Sequence, residues 1–214
     1  MNRDLTGYRK SYEKGVLHED DISDSPFQLF SEWFEEVEKY GGVEETNAMT
    51  ITTKGIDGFP KARIVLLKHF DENGFIFYSN YNSEKGKAIS ADNKICLSFF
   101  WPNLERQVII KGTAIKIEEE KSLLYFRSRP RGSQLGAFAS SQSEIIDSRD
   151  TLEEKLSFLE EKYKNQDIPK PDSWGGYNVI PVEFEFWQGR ANRLHDRIRY
   201  TQKDTTWKID RLAP

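Results

Sequence analysis

The stretch Lys61-Ala62-Arg63-Ile64-Val65-Leu66-Leu67-Lys68-His69-Phe70-Asp71-Glu72-Asn73-Gly74-Phe75-Ile76-Phe77-Tyr78-Ser79-Asn80 decides the fold. Two runs rich in β-branched and aromatic residues, Lys61–Phe70 and Phe75–Asn80, flank Asp71-Glu72-Asn73-Gly74, whose Asn-Gly pair suits a tight hairpin. The two runs are therefore expected to be antiparallel strands. Upstream, Ala48–Thr53 reads as a further strand. Downstream, a short helix near Ser83–Asp92 leads to strands at Lys94–Trp101 and Arg106–Ile117, and the chain closes with strands near Tyr177–Gln188, Arg197–Gln202 and Thr206–Leu212. Many antiparallel strands without alternating βαβ units point to a mainly β fold with peripheral helices, a closed or split β-barrel.

The helices follow a different period. Ser25-Pro26 reads as a cap followed by proline at the first helical position, and Phe27, Phe30, Phe34 and Val37 recur at helical spacing until Gly41-Gly42 stops the helix after about Tyr40. Helical stretches are also expected over Glu118–Ser128 and Arg149–Lys164, both against the sheet, the second with Leu152, Leu156, Leu159 and Tyr163 on one face. No flexible Gly/Ser or Pro linker divides the 214 residues. One domain over 25–214 is expected, preceded by a partly flexible polar arm over 1–24.

Hydrophobic residues make up 37% and aromatics 13%, enough for a packed core despite 31% charged residues. A formal net charge of −4 argues against a general nucleic-acid or membrane-surface binder, so any anion site must be local. The N-terminal sequence lacks the apolar run of a secretory signal, and no stretch has the length of a membrane span, so a cytoplasmic location is expected. Cys96, the single cysteine, lies in an apolar run and reads as a buried small hydrophobe; no intrachain disulfide is possible. His18, His69 and His195 have no metal-ligand spacing, and no metal is expected.

Three segments carry chemistry. Arg63 and Lys68 bracket an apolar strand but differ in parity, so a single site could use both only at an edge or after a bulge; the segment also reads as an ordinary strand with solvated ends. Tyr125 and Arg129 stand four apart, on one face if helical, and Pro130 should end that helix. Ser133 would then offer a hydroxyl or an N–H at the start of the next turn. A phenol, a guanidinium and a hydroxyl suit a phosphate monoester, although a basic helix end that answers the helix dipole has the same sequence. In Arg193-Leu194-His195-Asp196-Arg197, an extended chain would place Arg193, His195 and Arg197 on one face. Three cations side by side call for an anion, or for acids elsewhere on a solvated edge; His195 could also move protons near neutral pH.

These motifs, together with Glu105-Arg106-Gln107-Val108, Ser128-Arg129-Pro130-Arg131, Trp174-Gly175-Gly176, Glu185-Phe186-Trp187-Gln188-Gly189 and the terminal Arg211-Leu212-Ala213-Pro214, fall in one order along nearly the whole chain. In that order and spacing the sequence resembles the pyridoxamine/pyridoxine 5′-phosphate oxidase family. The resemblance implies an FMN-binding split barrel acting as a homodimer, each flavin between subunits, with pyridoxamine 5′-phosphate, pyridoxine 5′-phosphate and O2 as reactants. It implies that Arg63, Lys85 and Ser143 hold the FMN phosphate. Gln107, Gln142, Tyr78, Ser79, Trp187, Arg197 and the backbone of Ile64, Val65 and Leu66 would surround the rest. Lys68, Tyr125, Arg129 and Ser133 match a clamp for the substrate phosphate; Arg193 and His195 match residues over its ring and are the expected catalytic pair. Arg9 and Tyr12 match an arm that covers the site. One departure stands out: Glu84 occupies a position where the family usually has arginine. A different FMN split-barrel reductase would keep the barrel without the clamp, and a non-catalytic binder of FMN or B6 phosphate would not need Arg193 and His195 together.

Overall fold

Ser25 caps the first helix of the computed structural model, which describes residues 2–214: its side chain accepts from the Gln28 N–H, and Pro26 begins α1 (Pro26–Tyr40). Gly41 ends it at φ 73°, a left-handed conformation that glycine adopts without strain. Eight strands follow the expected pattern: β1 (Ala48–Lys54), β2 (Pro60–Asp71), β3 (Gly74–Asn80), β4 (Lys94–Trp101), β5 (Arg106–Lys116), β6 (Trp174–Gln188), β7 (Asp196–Lys203) and β8 (Thr206–Arg211). Their order in the sheet is β3-β2-β1-β4-β5-β6-β7-β8, and β3 also pairs with β6. That second pairing closes the first six strands into a barrel, leaving β7 and β8 as an extension. The helices between strands are α2 (Glu84–Ala91), α3 (Glu119–Ser128), α4 (Arg131–Ala139) and α5 (Asp150–Lys162). No helix among the described residues is long and apolar enough to cross a membrane.

Two compact units divide the chain. The first comprises residues 1–49, 97–111 and 181–214. Its core forms where α1 buries Leu29, Phe30, Trp33 and Val37, a face set by spacings of three and four. Phe30 meets Phe99 at 5.1 Å and Trp33 meets Phe186 edge-on at 5.2 Å, so α1 is held by aromatic packing. Each such ring contributes about 1.5–3 kcal/mol of burial. Phe27 and Phe34 flank this face half-buried, while Leu29 and Trp33 fill its centre.

The second unit comprises residues 50–96 and 112–180. Phe126, Leu135, Ala139, Leu159, Ile168 and Trp174 form a buried cluster there, and α5 joins it by packing on α4. Across the β3–β6 pairing, Phe77 stands opposite Tyr177 and the rings stack at 5.4 Å. Gly175 and Gly176 make room for their neighbours: a Cβ on Gly175 would lie 2.1 Å from the Tyr81 hydroxyl, and one on Gly176 would lie 2.5 Å from Ile117.

Several expectations need correction. The hairpin loop is Glu72-Asn73, with Asp71 paired to Gly74; Gly74 begins β3 at φ 136°, and the Asp71 carboxylate accepts from the Asn73 N–H. The α4 helix was not expected, because two glycines in Arg131-Gly132-Ser133-Gln134-Leu135-Gly136 lower its propensity. Arg129 is not helical: it lies just past α3 at ψ 148°, since the residue before a proline is pushed out of the α region. Cys96 is half-buried rather than buried, because it points to the strand face opposite Ile95 and Leu97. Residues 191–193 are not extended; they form a 3-10 turn with Asn192 at φ 56° and Arg193 at φ 62°. Arg193 therefore does not share a strand face with His195 and Arg197.

Candidate active site

The second unit holds a pocket of about 480 Å³. β2 supplies Ile64, Val65, Leu66 and Lys68; β3 supplies Tyr78, Ser79 and Asn80; Lys85, Tyr125, Arg129, Ser133, Gln142 and Trp174 complete most of the wall. The register of β2 with β3 shifts between Leu67 and His69, an irregularity at Lys68, and Lys68 lines the pocket. Tyr78, Tyr125 and Trp174 form a cluster of near-parallel rings, Tyr78 lying 3.9 Å from Tyr125 and 5.3 Å from Trp174. The Arg129 guanidinium sits 4.8 Å from the Trp174 ring centre. Its Nη1 is buried and has no hydrogen-bond partner among the described residues. Burial pushes the Arg129 pKa down, and Tyr125 partly offsets this.

A second cationic pair stands beside it. Lys85 is 8% exposed, and its Nζ donates to Gln142 Oε1 at 3.0 Å; Ser79 Oγ donates to the same oxygen. Burial and the neighbouring Arg63 charge push the Lys85 pKa down, against an opposing pull from Glu84. Arg63 does not line the pocket itself. Its Nη1 donates to Thr53 Oγ1 and the Lys61 carbonyl, while Nη2 is buried without a partner among the described residues. Ser143 also lies outside, at φ 75°, in an adjoining cavity with Gln142, Glu84 and Lys87. Glu84 turns to Lys61, and both partners are about half exposed. Buried Lys85 beside half-buried Arg63, whose buried Nη2 is an unmet donor, forms a site for an anion, because leaving such a donor unpaired costs roughly 1–3 kcal/mol. These residues fit a phosphate group.

The first unit carries the other predicted residues. Trp187 of β6 stands opposite Arg197 of β7. Arg197 is already answered: Glu185 Oε1 accepts from it at 2.8 Å, as does the Ala213 carbonyl. His195 packs on Trp187 at 4.7 Å, and the Tyr12 ring lies 5.8 Å from it. His195 Nδ1 accepts the Arg190 N–H at 3.1 Å, which requires neutral imidazole with the proton on Nε2. Burial and Arg193 push its pKa down against Asp196, which favours that neutral form. Arg9 and Arg193 are exposed, and Gln107 is half-buried on β5.

Sequence reasoning missed Trp174 and Asn80 as pocket residues and overlooked Asp196 as an anchor. Trp174 was visible within Trp-Gly-Gly; Asp196 was placed on the opposite strand face from its neighbours. It accepts from Arg190, from Arg211 and from the Leu17 N–H.

Comparison with known proteins agrees along the chain. Residues 35–162 match the family model described as pyridoxamine 5′-phosphate oxidase, and residues 174–214 match the pyridoxine 5′-phosphate oxidase C-terminal dimerisation region. A pyridoxine/pyridoxamine 5′-phosphate oxidase of Flavobacterium johnsoniae is 61% identical over 98% of this chain and 99% of its own. One of Christiangramia forsetii is 58% identical over the full length of both. Among solved structures, PhzG from Burkholderia lata, in complex with tetrahydrophenazine-1-carboxylic acid, is 27% identical with a TM-score of 0.87, covering 96% of this chain and 100% of that one. With matches of this extent and a barrel that presents phosphate-ready cations, this chain belongs to the pyridoxamine 5′-phosphate oxidase family.

Proposed function

We propose that this protein is a pyridoxine/pyridoxamine 5′-phosphate oxidase, converting pyridoxamine 5′-phosphate or pyridoxine 5′-phosphate to pyridoxal 5′-phosphate with FMN as cofactor. The observation that carries this reading is the buried Arg129 Nη1, without a partner among the described residues, in a pocket that also presents Lys68, Tyr125 and Ser133. Relatives at 61% and 58% identity carry the same name, which supports the substrate class.

Arg63 and Lys85 would hold the FMN phosphate, with Gln142 and Ser143 as further polar partners. Ile64, Val65, Leu66, Tyr78 and Ser79 would line the remainder of the cofactor. Gln107, Trp187 and Arg197 would serve it in a homodimer, each flavin lying between subunits; the match of residues 174–214 to a dimerisation region supports that assembly. When bound, FMN supplies a two-electron acceptor for hydride from the substrate's C4′ carbon, with dioxygen as the final acceptor and hydrogen peroxide as the by-product.

The protein's own work is placement and proton handling. Lys68, Tyr125, Arg129 and Ser133 anchor the substrate phosphate, which removes its rotational freedom and fixes the ring for reaction. Trp174 stacks under Arg129 and keeps the guanidinium plane from turning away. Arg193 orients the substrate and stabilises charge that develops on it. His195, neutral and protonated at Nε2, can donate a hydrogen bond there while Nδ1 stays engaged with the Arg190 N–H. Arg9 and Tyr12 belong to the covering arm.

The test is to purify the protein, record its visible spectrum and add pyridoxamine 5′-phosphate. A yellow protein that bleaches without air and makes peroxide with it is expected. A protein that binds FMN but is not reduced by the substrate would contradict the reading.

A further inference from the structure

Glu105 is 2% exposed and sits at φ 57°, a left-handed conformation unusual for a residue with a side chain. Its carboxylate faces the arm. Oε2 accepts the Glu13 N–H at 2.8 Å and the Lys14 N–H at 3.0 Å, and Oε1 lies 3.1 Å from Lys10 Nζ. The Lys10 side chain is 63% exposed, so the buried charge is met chiefly by the two backbone donors. On its other side, the Glu105 carbonyl accepts the Gly189 N–H at 2.8 Å. One residue thus ties the arm to the turn that follows β6.

Tyr12 lies between the held positions. A Cβ on Gly189 would come within 2.8 Å of its ring, so the absence of a side chain there lets the ring approach the turn. From that seat Tyr12 meets Trp187 edge-on at 5.7 Å and reaches His195 at 5.8 Å. If the arm lifts, the Glu105 carboxylate loses all three donors, which couples arm position to the state of this one group.

We propose that Glu105 is a positioning residue: it seats residues 10–14 so that Tyr12 closes over His195 and Trp187. The consequence for turnover rests on the oxidase reading above, but the seating itself does not. A role confined to stabilising the fold would lower the melting temperature without coupling to Tyr12. A seating role makes Glu105 and Tyr12 act as one unit in substrate capture.

The experiment uses the FMN-loaded protein and follows two quantities: the rate of trypsin cleavage after Lys14, and the Michaelis constant for pyridoxamine 5′-phosphate. Glu105→Gln should speed cleavage about tenfold and raise the Michaelis constant roughly five- to tenfold, with kcat within about twofold. Tyr12→Ala alone should raise the constant by as much as Glu105→Gln does, whereas adding it to Glu105→Gln should raise the constant by less than about twofold more. Lys10→Ala, a change at an exposed side chain that spares folding, should speed cleavage in the same direction by a smaller factor. A wild-type cleavage rate in both Glu105→Gln and Lys10→Ala would overturn the proposal, as would a Tyr12→Ala effect of full size in the Glu105→Gln background. Wild-type protein that cleaves slowly yet shows no turnover would count against the oxidase reading while leaving the seating decided by cleavage alone.

Discussion

Two clusters of charge, one in each compact unit, treat their cations in opposite ways. Around Asp196 in the first, each cation has a carboxylate: Arg190 and Arg211 both donate to Asp196, and Arg211 also reaches Glu19. In the second, Arg63 and Arg129 each keep a buried guanidinium nitrogen without a partner among the described residues, and Lys85 is held by a neutral amide. A cation answered by the protein fastens backbone; one left open in a buried pocket is held in readiness for a ligand. On this contrast Arg190 and Arg211 fasten the fold, while the open Arg63 and Arg129 are candidates for ligand binding.

The largest expected effect breaks the open side of this contrast. Arg129→Ala should raise the Michaelis constant for pyridoxamine 5′-phosphate roughly ten- to a hundredfold, from the loss of a charge-assisted contact of ~1.5–3 kcal/mol. FMN should stay bound. Because the native guanidinium is incompletely paired, ligand-free stability should fall little or rise; steady-state kinetics and urea unfolding measure the two quantities.

Asp196→Ala tests the closed side. It leaves Arg190 and Arg211 facing each other and frees the Leu17 N–H, so it should lower unfolding free energy by about 2 kcal/mol. Urea unfolding that matched the wild type would show that this network fastens nothing.

A smaller effect concerns His195, whose pKa is depressed below its ordinary 6.5 first by burial and then by Arg193. The unfolded chain takes up this proton near 6.5 while the folded protein does not. The stability that neutral His195 provides is therefore complete above that pH and is lost as pH falls toward the folded value. NMR titration of His195 should give a midpoint below 6.5. A midpoint above it would contradict both the neutral form and the Arg190 N–H···Nδ1 bond.

Glu84 should give the smallest change. Its Lys61 pair is exposed, yet it still acts on Arg63 and Lys85. Glu84→Arg should tighten FMN binding at low salt by about 1 kcal/mol, roughly fivefold, and the gain should shrink at high salt. Titrating apoprotein with FMN at two ionic strengths reads this.

Period and turn chemistry made the strands, α1 and the β2–β3 hairpin legible in the sequence, because each is set by local pattern. The hairpin lies where the sequence put it, with its loop tightened to Glu72-Asn73: Asp71 and Gly74 extend the strands by one pair, and Asp71 accepts the Asn73 N–H. The meeting of Tyr125 and Arg129 was legible for a partly mistaken reason: they line one pocket although Arg129 is extended. Proline displaced it from α3, and Trp174 then stacked it. A register shift lies at Lys68, but Arg63 stays outside the pocket that Lys68 lines, so the two cations do not share it. Arg193 could not be placed, since a left-handed turn at Asn192 and Arg193 breaks the alternation that a strand reading assumes. Glu105 was quoted only as part of a motif; its role depends on contacts 91 and 92 residues away in the chain, which no local pattern encodes.

The central claim is that the open cations of the second unit await phosphate. Isothermal titration of the FMN-loaded protein with pyridoxal 5′-phosphate and, separately, with pyridoxal isolates that group from the ring. If Lys68, Tyr125, Arg129 and Ser133 form the clamp, the phosphorylated compound should bind about a hundredfold or more tighter, and Arg129→Ala should erase most of the difference. Equal affinities for the two compounds would contradict it.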